Sequence, residues 1–153
     1  MAVVHNGIPI LVIELAGCIC AIPLSHVIET MRPLPVVPIS STLPFVRGMA
    51  VIRGIPTPVL DLGKLVGTPD EPARRFVTLR LGQRQVVLSV REVLGIIEMD
   101  PTTMMDMPSL LVGSSDNVIE AVGACDTQAL VVLRSGWQLP DEVWHAMAAQ
   151  ETA

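Results

Sequence analysis

Reactive side chains are few in this sequence, and their spacing decides what they can do. The three histidines, His5, His26 and His145, fall in the opening residues, on a turn and in the final segment. Two of the three cysteines, Cys18 and Cys20, are two apart, so a strand would point both thiols to one face. With His26 they would offer three metal ligands. Structural zinc takes four ligands, however, and Cys-x-Cys is not its usual spacing, so the expectation is a pair of small core residues. Cys125 has no neighbouring base and is read the same way. No Gly-x-Ser-x-Gly elbow, phosphate-binding glycine loop or His-Glu-x-x-His helix is present. The residues therefore predict a protein that is not an enzyme and needs no cofactor. A small thiol- or metal-dependent enzyme built on Cys18, Cys20 and His26 is the remote alternative.

Two charges stand out because their surroundings are apolar. Arg53 lies in the run PFVRGMAVIRGIPTPVLDL, residues 44–62, and Glu29 sits between Ile28 and Met31. A guanidinium among core-type residues requires a carboxylate or carbonyl, since an unpaired buried charge is very costly. Glu29 is the natural partner. The expectation is a buried ion pair that fixes strand pairing, or a polar feature at the rim of a binding groove; both can hold together.

The elements that must position these groups are short strands. Residues 44–62 read as two strands meeting at Gly54. Ile10–Leu15 and Cys18–Ile22 form a hairpin about Ala16-Gly17. Pro23-Leu24-Ser25 is a turn, with Ser25 placed to start a single helical turn, and Val27–Met31 continues extended. Pro33–Pro44 is a loop with a possible edge strand. Leu62–Val66 is one helical turn ended by Gly67, and Thr68–Ala73 is a polar linker. The pattern then repeats. Leu15, Ile22, Val27 and Ile28 correspond to Leu81, Leu88, Val93 and Leu94 at a constant offset of 66, giving a second hairpin, Phe76–Leu81 with Gln85–Val90, and an extended Arg91–Ile97. Phe45, Val46 and Leu60 match Val118, Ile119 and Leu133 at an offset of 73. Two halves of similar order predict a mainly β chain of two small packed barrels. The first barrel would span about 8–67 plus chain-end contacts and the second about 74–136, within a single domain over 1–153. A C-terminal helix is expected at about 141–150, capped by Asp141. The methionines at 99–107 suit either a gap-filling core or an adaptable contact surface.

Composition points the same way. The chain has 153 residues, 50% of them hydrophobic and 16% charged, and its mean hydropathy is +0.56. No apolar run of the length needed to span a bilayer is free of proline, glycine and charge, and no basic region precedes the first apolar stretch. A large core with exposed apolar surface covered by partners is the remaining explanation, which favours an interaction protein. A net charge of −5 with scattered arginines argues against nucleic acid or an anionic membrane. Three cysteines without a framework suit a reducing compartment, so the expected location is cytoplasmic.

The sequence resembles the CheW-type chemotaxis coupling proteins. The resemblance is carried by Phe45-Val46-Arg47-Gly48, Val51-Ile52-Arg53-Gly54, Pro58-Val59-Leu60-Asp61-Leu62, Val27-Ile28-Glu29 and Val90-Arg91-Glu92-Val93, and it extends over Ile10–Leu133. It implies two five-stranded, SH3-like barrels around a shared apolar core. It also implies a non-catalytic adaptor in signal transduction, joining the cytoplasmic tip of methyl-accepting chemoreceptors to the regulatory domain of a CheA-type histidine kinase of a two-component system. Location would be cytoplasmic, at receptor arrays reached through partners, with other CheW-like proteins as possible neighbours. Carried over by position, Val27, Glu29, Gly48, Arg53 and Val93 would contact the receptor, and Leu110 the kinase. An adaptor of the same family in a pilus-twitching or surface-sensing pathway is the alternative. Val51 stands where the family usually has Asn, Ala121 where it usually has Gly, and the tail Pro140–Ala153 differs from the usual terminal helix.

Overall fold

The structure, a computed structural model, describes residues 7–68, 72–99, 105–106, 119–125, 128–133 and 139–152. In chain order the strands are β1 (Ile8–Leu15), β2 (Cys18–Pro23), β3 (Val27–Met31), β4 (Val46–Ile52) and β5 (Ile55–Asp61), then β6 (Arg75–Leu81), β7 (Arg84–Val90), β8 (Glu92–Met99), β9 (Met105–Asp106), β10 (Ile119–Cys125) and β11 (Gln128–Leu133). A 3-10 turn, Leu24–His26, joins β2 to β3. It begins after Pro23, with no side-chain cap, so Ser25 lies inside it and does not start it. Helix α1 (Leu62–Val66) follows β5, and α2 (Asp141–Thr152) ends the chain. Asp141 is the first helical residue, where its charge and that of Glu142 suit the positive end of the helix dipole.

The strands form two sheets, one in the order β8-β1-β2-β11-β10-β9 and one in the order β3-β6-β7-β5-β4. This corrects the expected division of the chain at the linker. The second sheet is built from one continuous stretch, 27–90, whereas the first combines β1 and β2 with β8–β11. The opening hairpin of each half pairs with the closing hairpin of the other half, through a parallel contact: β2 with β11, and β7 with β5. The third strands cross over as well, β3 pairing with β6 and β8 with β1. The repeat is therefore real in sequence, but its two copies are interlaced in space. The linker at 68–73 falls between β5 and β6, two strands of one sheet that flank β7.

Burial explains why β1 and β2 read as continuous apolar runs. One face of this hairpin, Leu11, Ile13, Leu15, Cys18, Cys20 and Ile22, joins Leu60, Val77, Leu79, Val86, Leu88 and Val90 in a core shared by both sheets. The opposite face, Ile10, Val12, Ile19 and Ala21, forms a separate cluster. A strand covered on both faces cannot alternate with polar residues. Ala50, Ile52, Val59, Phe76 and Val87 fill the corresponding cluster of the second sheet. Leu88 is fully buried in the shared core, and truncating it to alanine is expected to cost about 3 kcal/mol through lost burial and a residual cavity. Helix α2 closes one flank of that core with Val143, and Met147 is buried one turn further along the same face.

Candidate functional site

The hairpin of β4 and β5 turns in two residues, Arg53 and Gly54, with Ile52 opposite Ile55. Both turn residues have positive φ, 50° and 81°. A tight turn of this hand matches strand twist, and glycine adopts it freely while arginine does so at some cost in backbone energy. The strain places the guanidinium at the apex of the hairpin. There Nε donates to Glu29 Oε1 at 3.1 Å and Nη2 donates to Oε2 at 2.8 Å. Glu29 comes from β3, an edge strand of the same sheet. The pair spans from one edge of the sheet, β3, to the hairpin at the other edge, β4.

The pairing of Glu29 with Arg53 is as expected, but its burial is not. The Arg53 side chain is 79% exposed and that of Glu29 is 23% exposed. The apex of a hairpin projects beyond the sheet, so apolar residues adjacent in sequence do not enclose it. The hydrogen bond from Arg53 holds the Glu29 carboxyl below its ordinary pKa, and the carboxylate in turn raises that of the guanidinium. Around the pair Ile28, Val51 and Ile55 are exposed large apolar residues. Val51, at the position of the usual family amide, is 58% exposed and adds to this apolar surface.

The other expected receptor residues are placed differently. Val27 and Val93, equivalent positions in the repeat, are both half-buried against the shared core. Val27 is the first residue of β3 and Val93 the second of β8, one in each sheet. Gly48 is buried. It has φ of 147°, and a Cβ there would collide with the Val37 carbonyl and come within 2.9 Å of Val36 Cγ1. The Val36–Val37 segment crosses here, with backbone bonds between Val37 and Met49 in both directions. Gly48 thus admits a close chain crossing, a packing constraint at the glycine that its position in the sequence did not reveal. Leu110 lies outside the described residues.

A second ion pair was not anticipated. Arg47 Nη2 donates to Asp61 Oδ2 at 2.8 Å, while Oδ1 accepts the backbone N–H of Lys64 at 3.1 Å. Asp61 is the N-cap of α1 and is 8% exposed. An acidic residue directly before a predicted helical turn is the signal that locates such a cap.

Cys18 and Cys20 point together into the shared core, and the Cys20 thiol is held well above its usual pKa by its hydrogen bond with Cys18 and by burial. Among the described residues no cluster of three His, Cys, Asp or Glu side chains could hold a metal ion. Likewise, no described helix is long and apolar enough to cross a membrane.

Two interlocked β sheets around a common core define a fold of packed β barrels. The CheW-like domain family model matches residues 9–136, and the chain belongs to that family. The fold is similar to that of the scaffolding protein TtCheW from Thermoanaerobacter tengcongensis, with a TM-score of 0.71 and 21% sequence identity over 84% of this chain and 89% of that one. No curated protein matches the chain.

Proposed function

We propose that this protein is a non-catalytic scaffold that couples methyl-accepting chemoreceptors to a CheA-type histidine kinase at the cytoplasmic face of the membrane. The observation that carries the reading is the Arg53–Glu29 fork. A strained turn and three charge-assisted contacts hold an arginine in place at the surface, next to Ile28, Val51 and Ile55. Such a side chain is already ordered before a partner arrives, which lowers the entropic cost of binding. The fold alone does not require it, because an exposed pair adds little stability. Val27 and Val93 border the same core from the two sheets and would complete a receptor-facing seam.

A scaffold needs a second face for its second partner. Strand β8 is an edge strand and displays Leu94, Ile96 and Ile97 beside Ile8, each 44–60% exposed. An exposed apolar edge of this kind is suited to protein contact. Leu110, carried over by its position in the sequence, is proposed as a kinase contact as well.

The test uses purified receptor cytoplasmic tips and the kinase regulatory domain as separate baits. Wild-type protein is expected to bind both. Arg53→Ala should lose the receptor and keep the kinase, while Ile96→Asp should do the reverse. A folded wild type that binds neither would sink the coupling role, and an Arg53→Ala variant that binds both normally would sink the receptor assignment. Receptors and kinases drawn from pilus-based or surface-sensing systems as baits would distinguish the alternative pathway.

A further inference from the structure

The C-terminal helix creates a groove whose helix and β6–β7 walls the scaffold reading does not use. It has a volume of about 630 Å³ and lies between α2 and the tip of the β6–β7 hairpin. Ile28, Ile55 and Pro56 form its apolar part together with Met147 and Ala148 of the helix. Arg80 and Arg84 supply charge, and Gln83 and Gln85 line the same space. Arg84 stacks over the Trp144 ring, 4.5 Å from its centroid, so the hairpin tip is clamped to the helix. Gln85 is also fixed, since its Nε2 donates to Thr57 Oγ1 at 3.0 Å. The walls are held by contacts of their own.

Charge decides what would fit. Neither Arg80 nor Arg84 has a carboxylate partner among the described residues, in a chain whose net charge is −5. Two guanidiniums on one wall beside an apolar floor are complementary to an apolar side chain with neighbouring carboxylates. We propose that this groove binds an acidic, amphipathic peptide segment of a partner protein. Its apolar residue would rest on Ile28, Ile55 and Met147, and its carboxylates would accept hydrogen bonds from Arg80 and Arg84. Pre-ordering by Trp144 and Thr57 favours a defined pose over general stickiness. Ile28 and Ile55 border both this groove and the Arg53–Glu29 fork, so the two sites adjoin; Arg80 and Ala148 belong to the groove alone, and variants there separate the two assignments.

The experiment measures fluorescence anisotropy of a labelled short peptide in which leucines are flanked by glutamates, and of a twin with lysines in place of the glutamates. The full chain should bind the glutamate peptide, with affinity falling as salt rises, and should bind the lysine twin far less. Arg80 is exposed, so Arg80→Glu should leave thermal melting unchanged. It should weaken the glutamate peptide by about tenfold or more and strengthen the lysine twin, as expected on inverting a charged contact. Ala148→Trp, which fills the groove from an exposed helical position, should abolish binding of both. Equal binding of the two peptides, or unchanged affinity in both variants, would overturn the proposal. So would failure of the wild type to bind either peptide.

Discussion

The β4–β5 hairpin carries two arginine–carboxylate pairs that do different work. At its open end Arg47 meets Asp61, whose other oxygen caps α1, and Asp61 is almost fully buried. At its closed end Arg53 meets Glu29 with most of the guanidinium in solvent. The distances are nearly equal, 2.8 Å in each pair. Environment separates them: a buried carboxylate must be satisfied or the fold suffers, whereas an exposed one falls back on water. The same chemistry therefore serves stability at one end of a hairpin and presentation at the other.

That contrast can be broken from several sides. The largest effect is expected beside the first pair, at Gly48, where Gly48→Asp would force a side chain against the Val37 carbonyl in a conformation that favours glycine. A loss of about 3 kcal/mol or more is expected, visible as collapse of the thermal melt, not as selective loss of a partner. Asp61→Ala removes a helix cap and a charged partner together and should cost about 2–3 kcal/mol in denaturant unfolding. Arg47→Ala leaves the cap in place and should cost about 1 kcal/mol by the same measurement. At the closed end, Glu29→Ala should leave the melting temperature unmoved and reduce receptor-tip capture. A drop in stability matching that of Asp61→Ala would erase the distinction between the pairs.

The smallest effect is one of pH. Because Arg53 lowers the folded-state pKa of Glu29, the pair's contribution is fully present above the ordinary carboxylate value of about 4.3 and is lost as pH falls through the lower folded value. Stability and binding through this pair should be flat between about pH 6 and 8. An NMR titration of the Glu29 carboxyl should show its midpoint rising toward the ordinary value in Arg53→Gln. An unchanged midpoint would mean that the hydrogen bonds do not persist in solution.

Local order was legible in the sequence wherever a short-range rule applies. The hairpin turns at Ala16-Gly17 and Gly82-Gln83 fall where expected, as does the break at Gly54, with Arg53 in that turn and not in the strand, and α1 lies between Asp61 and Gly67 as expected. The partnership of Glu29 and Arg53 was legible because each is a charge with apolar neighbours in its strand segment. Their exposure was not, since neighbours in sequence say nothing about the projection of a hairpin apex. Sheet membership was also hidden. Parallel contacts such as Ala129 beside Cys18 join segments with no turn between them to signal the pairing. The crossing at Gly48 was hidden because the segment that makes it, Val36–Val37, is a proline-flanked loop whose path has no periodic signature.

The interlacing of the strands sets an order of events during synthesis. The sheet formed by 27–90 contains all its strands by the time Val90 leaves the ribosome. The β1–β2 hairpin emerges first, yet it waits for β11 before β2 acquires its parallel neighbour. In the interval its apolar face can rest on the core of the finished sheet, which it shares. The long-range closure of β2 with β11 is the step expected to limit the folding rate.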